Sequence, residues 1–181
     1  IELIRKAVET TDRCTEFVAS IAKTGMTEWE LSTAIENFYR SNGCRKSSFD
    51  TIVASGAGSS MPHYIPSMTK KIESGDTLMI DMGALRDGYN SDLTRTVFVR
   101  SVAPEFRKIY TIVRAAQEKA IRAIKPGMLS GAIDKAARSH IADKGFGWAF
   151  GHSLGHGVGL EVHEMPALKA RGRIPLAPDM V

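Results

Sequence analysis

An Asp87-Gly88 pair flanked by two apolar segments commits the middle of the chain to an antiparallel hairpin. The outgoing strand reads as Thr77–Ala84 and the returning strand as Tyr89 to about Arg100. With Asp87-Gly88 as a two-residue turn, Ala84 faces Ser91 and Asp81 faces Thr94. Asp92 stands two residues before Thr94, so Asp81 and Asp92 leave the ribbon on one face, as diagonal neighbours roughly 5–8 Å apart. Asp81 interrupts Leu78-Met79-Ile80-Asp81-Met82, which otherwise reads as buried strand. Two carboxylates in such a place are costly unless something positive neutralises them. Arg95 could do so through a structural ion pair. Two metal ions could do so as well.

Helices flank the hairpin. From Ile1 to about Lys23, Ile4, Ala7, Thr11, Cys14, Val18 and Ile21 recur at helical spacing. Thr27 and Glu30 form a capping box for a second helix, which carries Leu31, Ile35 and Phe38 on one face and stops at Asn42-Gly43. A short strand is expected at about Thr51–Ala54, then a polar loop from Ser55 to Ser67. After the hairpin, Pro104 opens a helix to about Lys125, and another spans about Leu129–Lys144. Beyond a glycine-dense stretch, Gly145–Gly159, a strand is expected over about Val158–His163. The tail from Met165 to Val181 reads as loop, with a strand beginning at its end. This order argues for an α+β chain, 1–181 as a single domain, rather than a regular βαβ alternation. No internal repeat stands out.

With 181 residues, 43% of them hydrophobic, the chain can bury a core without disulfides. Cys14 and Cys44 cannot build a disulfide framework, so a reducing, cytoplasmic setting is the expectation. The net charge of +4 comes from scattered basic residues. No basic run or basic–aromatic interleaving suggests a nucleic-acid partner. No apolar run is long enough for a membrane span. The chain opens on Ile1 rather than Met, which suggests an excised domain, a processed chain or missing leading residues.

The histidines are unevenly placed. His140 lies in a plain helix and His63 in the polar loop, while His152, His156 and His163 fall close together. The His152–His156 spacing matches a helical metal site, but Gly151, Gly155, Gly157 and Gly159 make a helix improbable there. Glycines instead let the backbone approach something closely. The bland alternative is a set of hydrogen-bonded loop imidazoles. Gly151-His152-Ser153-Leu154-Gly155 also matches G-x-S-x-G, yet that elbow needs a helix after the serine, and glycine-dense sequence follows. Gly56-Ala57-Gly58 lacks the Gly-Lys-Ser/Thr of a phosphate loop.

Three segments together resemble the "pita-bread" metallopeptidases, which include methionine aminopeptidase, Xaa-Pro aminopeptidase, prolidase and creatinase. They are Ile80-Asp81-Met82-Gly83 with Gly88-Tyr89-Asn90-Ser91-Asp92-Leu93-Thr94-Arg95-Thr96, the run Gly151 to Pro166, and Ile52 through His63. The wording is nearest the bacterial proline-specific branch. The resemblance implies an α+β pita-bread fold with pseudo-twofold symmetry. It implies Asp81 as a terminal ligand of one metal, Asp92 as a bridge between two, and His156 as a ligand of the second. His63 and His163 would stabilise the tetrahedral intermediate or the leaving amine. His152 would line the proline-side pocket and bind substrate. Arg95 would be a partner of the carboxylates behind the metal ligands, and Thr94 would help orient them. The implied cofactors are two divalent ions, with Mn²⁺ favoured over Co²⁺, Zn²⁺ or Fe²⁺. The implied partners are a peptide with proline in second position and, from resemblance only, a second copy of the chain in a homodimer.

The family supplies five ligands where this chain shows three. Two glutamates belong further along, the first in a Thr-x-Glu-Pro strand, and Glu161 and Glu164 are wrongly placed to replace them. The expectation is therefore a chain truncated at its C-terminus and without the family's N-terminal domain, weak in metal binding and poor in catalysis. Tyr64 after His63, where the branch more often has glycine, bears on pocket shape. The leading expectation is an Xaa-Pro exopeptidase. The alternatives are a methionine aminopeptidase and a non-catalytic peptide-binding module of the same fold.

Overall fold

The computed structural model describes residues 1–181. They form two compact units, Ile1–Ala103 with Gly159–Val162, and Pro104–Val158 with His163–Val181.

The first unit opens with α1 (Glu2–Ile21) and α2 (Glu28–Ser41). The capping box is formed: Glu30 N donates to Thr27 Oγ1 at 3.1 Å, and Thr27 N donates to Glu30 Oε2 at 2.7 Å. Helix α1 buries Ile4, Ala7, Thr10, Thr11, Cys14 and Val18, the stripe its spacing predicts. Against it lie Leu31, Ile35 and Tyr39 of α2, all without solvent exposure. Each such apolar side chain contributes about 1.5–3 kcal/mol, so Leu31→Ala costs about 2–5 kcal/mol.

The hairpin register is as expected, with Asp81 opposite Thr94 and Leu85 opposite Asn90. Asp87 and Gly88 both have positive φ, the geometry of a tight two-residue hairpin turn. The ribbon nevertheless divides between two sheets. Strands β2 (Ile52–Ser55), β3 (Thr77–Met82) and β6 (Leu93–Phe98) form one, and β1 (Lys46–Ser47), β4 (Ala84–Arg86) and β5 (Tyr89–Asn90) the other. Gly83 makes the break possible, because a Cβ there would lie 2.0 Å from Ser91 O.

The second unit contains α3 (Pro104–Ala123), α4 (Ser130–Asp143), β7 (Gly155–Gly157) and β8 (Glu164–Leu168). The strand expected over 158–163 does not form; strands flank that segment instead. The buried Asn90 explains why. Its N and Nδ2 donate to Gly159 O at 2.8 and 3.1 Å, and Nδ2 to Leu160 O at 2.8 Å, capturing carbonyls a ladder would need. The tail is also more ordered than a loop, since it contains β8. Residues 172–176 then bond back to the turn before α4 through Ser130 N to Ile174 O and Leu176 N to Met128 O.

A repeat invisible in the sequence is plain in the structure. Helices α3 and α4 have the same lengths, 20 and 14 residues, as α1 and α2. Positions match at an offset of 102, as in Gly25 to Gly127 and Gly43 to Gly145, all four with positive φ. The buried set of α2, Glu28, Leu31, Ser32, Ile35 and Tyr39, maps onto Ser130, Ile133, Asp134, Ala137 and Ile141 of α4. Gly25 N donates to Ile72 O as Gly127 N does to Leu176 O. The helix entries are fastened alike, while the side chains filling them differ.

Candidate metal centre

Strand β3 alternates, with Leu78, Ile80 and Met82 on the buried face and Thr77, Met79 and Asp81 on a half-buried one. Asp81 is thus less buried than its apolar neighbours suggest. Asp92 and Thr94 are exposed. The Thr94 hydroxyl donates to Asp81 Oδ1 at 2.7 Å, which restricts that carboxylate to one orientation. Arg95 needs correction. It pairs with Ile80 in the ladder, so its side chain leaves from the core face, and its Nη1 donates to Thr94 O at 3.0 Å. Strand alternation therefore removes it as a partner of Asp81, because adjacent residues point to opposite faces.

His63 is exposed on the loop after β2, beyond a 3-10 turn, Gly56–Ser60. Sequence reasoning missed the anchor of this loop. Glu28, with no solvent exposure, accepts Ser55 N (2.7 Å) and Ser55 Oγ (2.8 Å) on Oε1, and Tyr64 Oη (2.8 Å) and Ser67 N (3.0 Å) on Oε2. Lys70 Nζ lies 3.2 Å from Oε1. Burial pushes the Glu28 carboxyl up, and the bonds from Ser55, Ser67 and Tyr64 outweigh it, leaving it below the ordinary value. Burial and the bond to Glu28 push Tyr64 up. The only sequence signal was an acidic residue in the first turn of α2.

In the second unit, His152 is exposed and packs edge-on to Phe150, with ring centroids 5.0 Å apart. Its carbonyl is held by Arg138 Nη2 at 2.8 Å, and Phe150 O by Nη1 at 2.7 Å. The same guanidinium forks onto the buried Asp134 with two 2.8 Å bonds. This Asp134–Arg138 brace was readable as an i,i+4 pair. His156, half-buried in β7, has Nδ1 3.0 Å from Gly157 O. That contact requires a proton on Nδ1, so in the neutral ring Nε2 bears the lone pair a metal would use. His163 lies against it, with ring centroids 4.3 Å apart. Ser153 is followed by β7 rather than a helix, so the G-x-S-x-G run is no nucleophile elbow.

The donors fit a divalent cation in kind: Asp81 and Asp92 offer carboxylates, and His156 offers an imidazole with a fixed tautomer. No group of three or more His, Cys, Asp or Glu side chains converges as a complete site. Comparison with known proteins decides the family, because the model of metallopeptidase family M24 matches residues 2–181. The chain belongs to family M24. A curated relative, the Xaa-Pro dipeptidase of Pyrococcus furiosus, is 44% identical over 100% of this chain and 52% of its own length. Among solved structures, an Xaa-Pro dipeptidase from Bacillus anthracis superposes with TM-score 0.96 at 41% identity, covering 99% of this chain and 50% of that one. An X-Pro aminopeptidase from Thermotoga maritima gives 0.93 at 41% identity, covering 97% and 50%. The chain spans about half the length of the curated relatives it matches. The α+β pita-bread assignment holds, and M24 membership implies divalent metal ions.

Proposed function

We propose that this chain carries catalytic elements of a metal-dependent exopeptidase that hydrolyses the Xaa-Pro bond of dipeptides or short peptides. The observation that carries the reading is the 2.7 Å bond by which Thr94 orients Asp81, in a chain 44% identical to an Xaa-Pro dipeptidase. Asp81, Asp92 and His156 would hold the ions; this donor set suits Mn²⁺, Co²⁺, Fe²⁺ or Zn²⁺, and the family resemblance favours Mn²⁺. When bound, such ions supply Lewis acidity and an acidified water. The chain's own residues do the rest. Thr94 orients Asp81, and Gly157 O fixes the His156 tautomer. His63 and His163 donate to the oxygen that gains charge at the scissile carbon, or pass a proton to the leaving amine. His152, held through its carbonyl by Arg138, binds the proline side of the substrate.

The test is calorimetric titration of the 181-residue chain with Mn²⁺ under anaerobic, chelator-stripped conditions, with Ala-Pro and Met-Ala hydrolysis measured alongside. Three ligands predict binding weaker than micromolar, abolished in Asp92→Ala, and metal-dependent cleavage of Ala-Pro in preference to Met-Ala. Unchanged Mn²⁺ binding in Asp92→Ala would sink the reading.

A further inference from the structure

We propose that Glu28, acting through Tyr64, is the positioning residue that sets where His63 stands. Its importance for catalysis rests on the reading of His63 as a substrate-facing histidine. Both ends of the His63 loop converge on this one carboxylate. Ser55, the last residue of β2, gives it two bonds on Oε1, and Tyr64 and Ser67 give it two on Oε2. Lys70 closes the set, with Nζ bonded to Ser55 O, 3.2 Å from Glu28 Oε1 and 5.6 Å from the Tyr64 ring centroid. Gly58 makes room for that ring, since a Cβ there would lie 2.9 Å from Tyr64 Cε2.

His63 immediately precedes Tyr64, so the anchored phenol restrains the backbone from which the imidazole projects. Met61, at 50% exposure, and Ile65, at 82%, leave this stretch without buried apolar anchors of its own. The far side of the clamp is equally firm. β2 pairs with β3, and Ile52 lies opposite Asp81. One buried carboxylate thus ties the His63 loop to the sheet that bears Asp81. Burial of a carboxylate is tolerated here because every donor it needs is supplied.

The experiment is NMR on the 181-residue chain. The His63 ring resonance is assigned by its loss in His63→Gln, and Ser67 amide exchange and melting temperature are measured alongside. Tyr64→Phe keeps the ring against Gly58 and removes one bond; Glu28→Gln keeps the shape and removes the charge. Both should shift or broaden the His63 line and speed Ser67 exchange by about tenfold, the factor one ordinary hydrogen bond represents. The His140 line should stay. If Glu28→Gln does not fold, Tyr64→Phe carries the test alone. An unmoved His63 line with fast Ser67 exchange would overturn the proposal, as would unchanged Ser67 exchange in a folded Tyr64→Phe. Titration of the native chain with Ala-Pro separates the two claims. A His63 line that ignores the dipeptide would overturn the substrate role, whatever the clamp variants show.

Discussion

The two units solve the same local problem with different chemistry. Each enters its second helix through a Gly-Met step, Gly25-Met26 and Gly127-Met128, and each bonds the helix start to a returning segment, around Ile72 in one and Ile174–Leu176 in the other. In the first unit the first residue of the helix is Glu28, whose carboxylate gathers four hydrogen bonds and a lysine. In the second it is Ser130, whose buried hydroxyl has no partner. Glycines stand where side chains would interfere: a Cβ on Gly131 would meet Gly172 N at 2.6 Å, and one on Gly172 would meet Ser130 Oγ at 2.3 Å. The same scaffold thus serves one unit as a polar hub that organises a loop and the other as close backbone packing. The cores differ likewise, with Cys14, Val18 and Ile35 of one matched by Ala116, Ala120 and Ala137 of the other.

The largest test of this contrast compares Glu28→Ala with Ser130→Ala. Removing Glu28 strands several buried donors and Lys70, and should cost about 3–5 kcal/mol. Removing the Ser130 hydroxyl deletes an unsatisfied group and should change stability by no more than about 1 kcal/mol, in the stabilising direction. Urea unfolding of both variants checks this. Equal losses would mean that the helix entry, not its side chain, sets the energetics.

One step along each helix surface the roles reverse. Ser32 donates one bond to Thr51 O at 3.2 Å, whereas its counterpart Asp134 receives the Arg138 fork. Asp134→Ala leaves Arg138 without its carboxylate. After discounting for the 29% exposure of the Arg138 side chain, the expected loss is about 2–3 kcal/mol. Ser32→Ala should cost about 1 kcal/mol. Freed of Asp134, Arg138 should also hold Phe150 and His152 less firmly, which an increase in His152 ring mobility by NMR would report.

The sequence revealed some of these features and concealed others, for physical reasons. The hairpin register was legible because a two-residue turn and a period of two leave no freedom: naming Asp87-Gly88 put Asp81 opposite Thr94. Helix ends were legible at Gly43 and Gly145 for the same local reason. The repeat was hidden because it conserves burial rather than identity, matching Glu28 to Ser130 and Tyr39 to Ile141. Strands β7 and β8 were misplaced because glycines carry no periodicity, and because Asn90, remote in sequence, takes the Gly159 and Leu160 carbonyls. Glu28 was missed since Ser55, Tyr64 and Ser67 come from distant positions. Arg95 was misassigned although strand alternation alone would have placed it behind the carboxylate face.

A pH titration sharpens the contrast between the entries. Glu28 lies below its ordinary pKa when folded. The unfolded chain therefore binds this proton more tightly. The stability it supplies is complete above the unfolded carboxyl value of about 4.3 and is lost as pH falls through the lower folded value. Ser130, in the matching place, has no proton to exchange in that range. The two tryptophans fall one in each unit, Trp29 beside Glu28 and Trp148 in the second. Followed by Trp29 fluorescence in a Trp148→Phe background, acid loosening should begin below about pH 4.3 and flatten in Glu28→Gln. The transition seen by Trp148 in a Trp29→Phe background should ignore that substitution. If both signals shift together, the units do not respond separately.

The smallest expected effect is a test of sameness. Gly43 and Gly145 each follow the last turn of a helix, with φ of 81° and 87°, and neither would give an added Cβ a neighbour within 4 Å. The bonds that close the turns also match, Cys44 N to Tyr39 O at 3.0 Å and Phe146 N to Ile141 O at 3.1 Å. An alanine at either site meets no clash and is penalised only for its left-handed backbone, about 1–2 kcal/mol. Gly43→Ala and Gly145→Ala should therefore lower stability by the same amount, within about 0.5 kcal/mol of each other. A larger difference would show that the helix exits, like the helix entries, have taken on separate work in the two units. Agreement would show that the helix exits have stayed alike while the helix entries and the cores diverged.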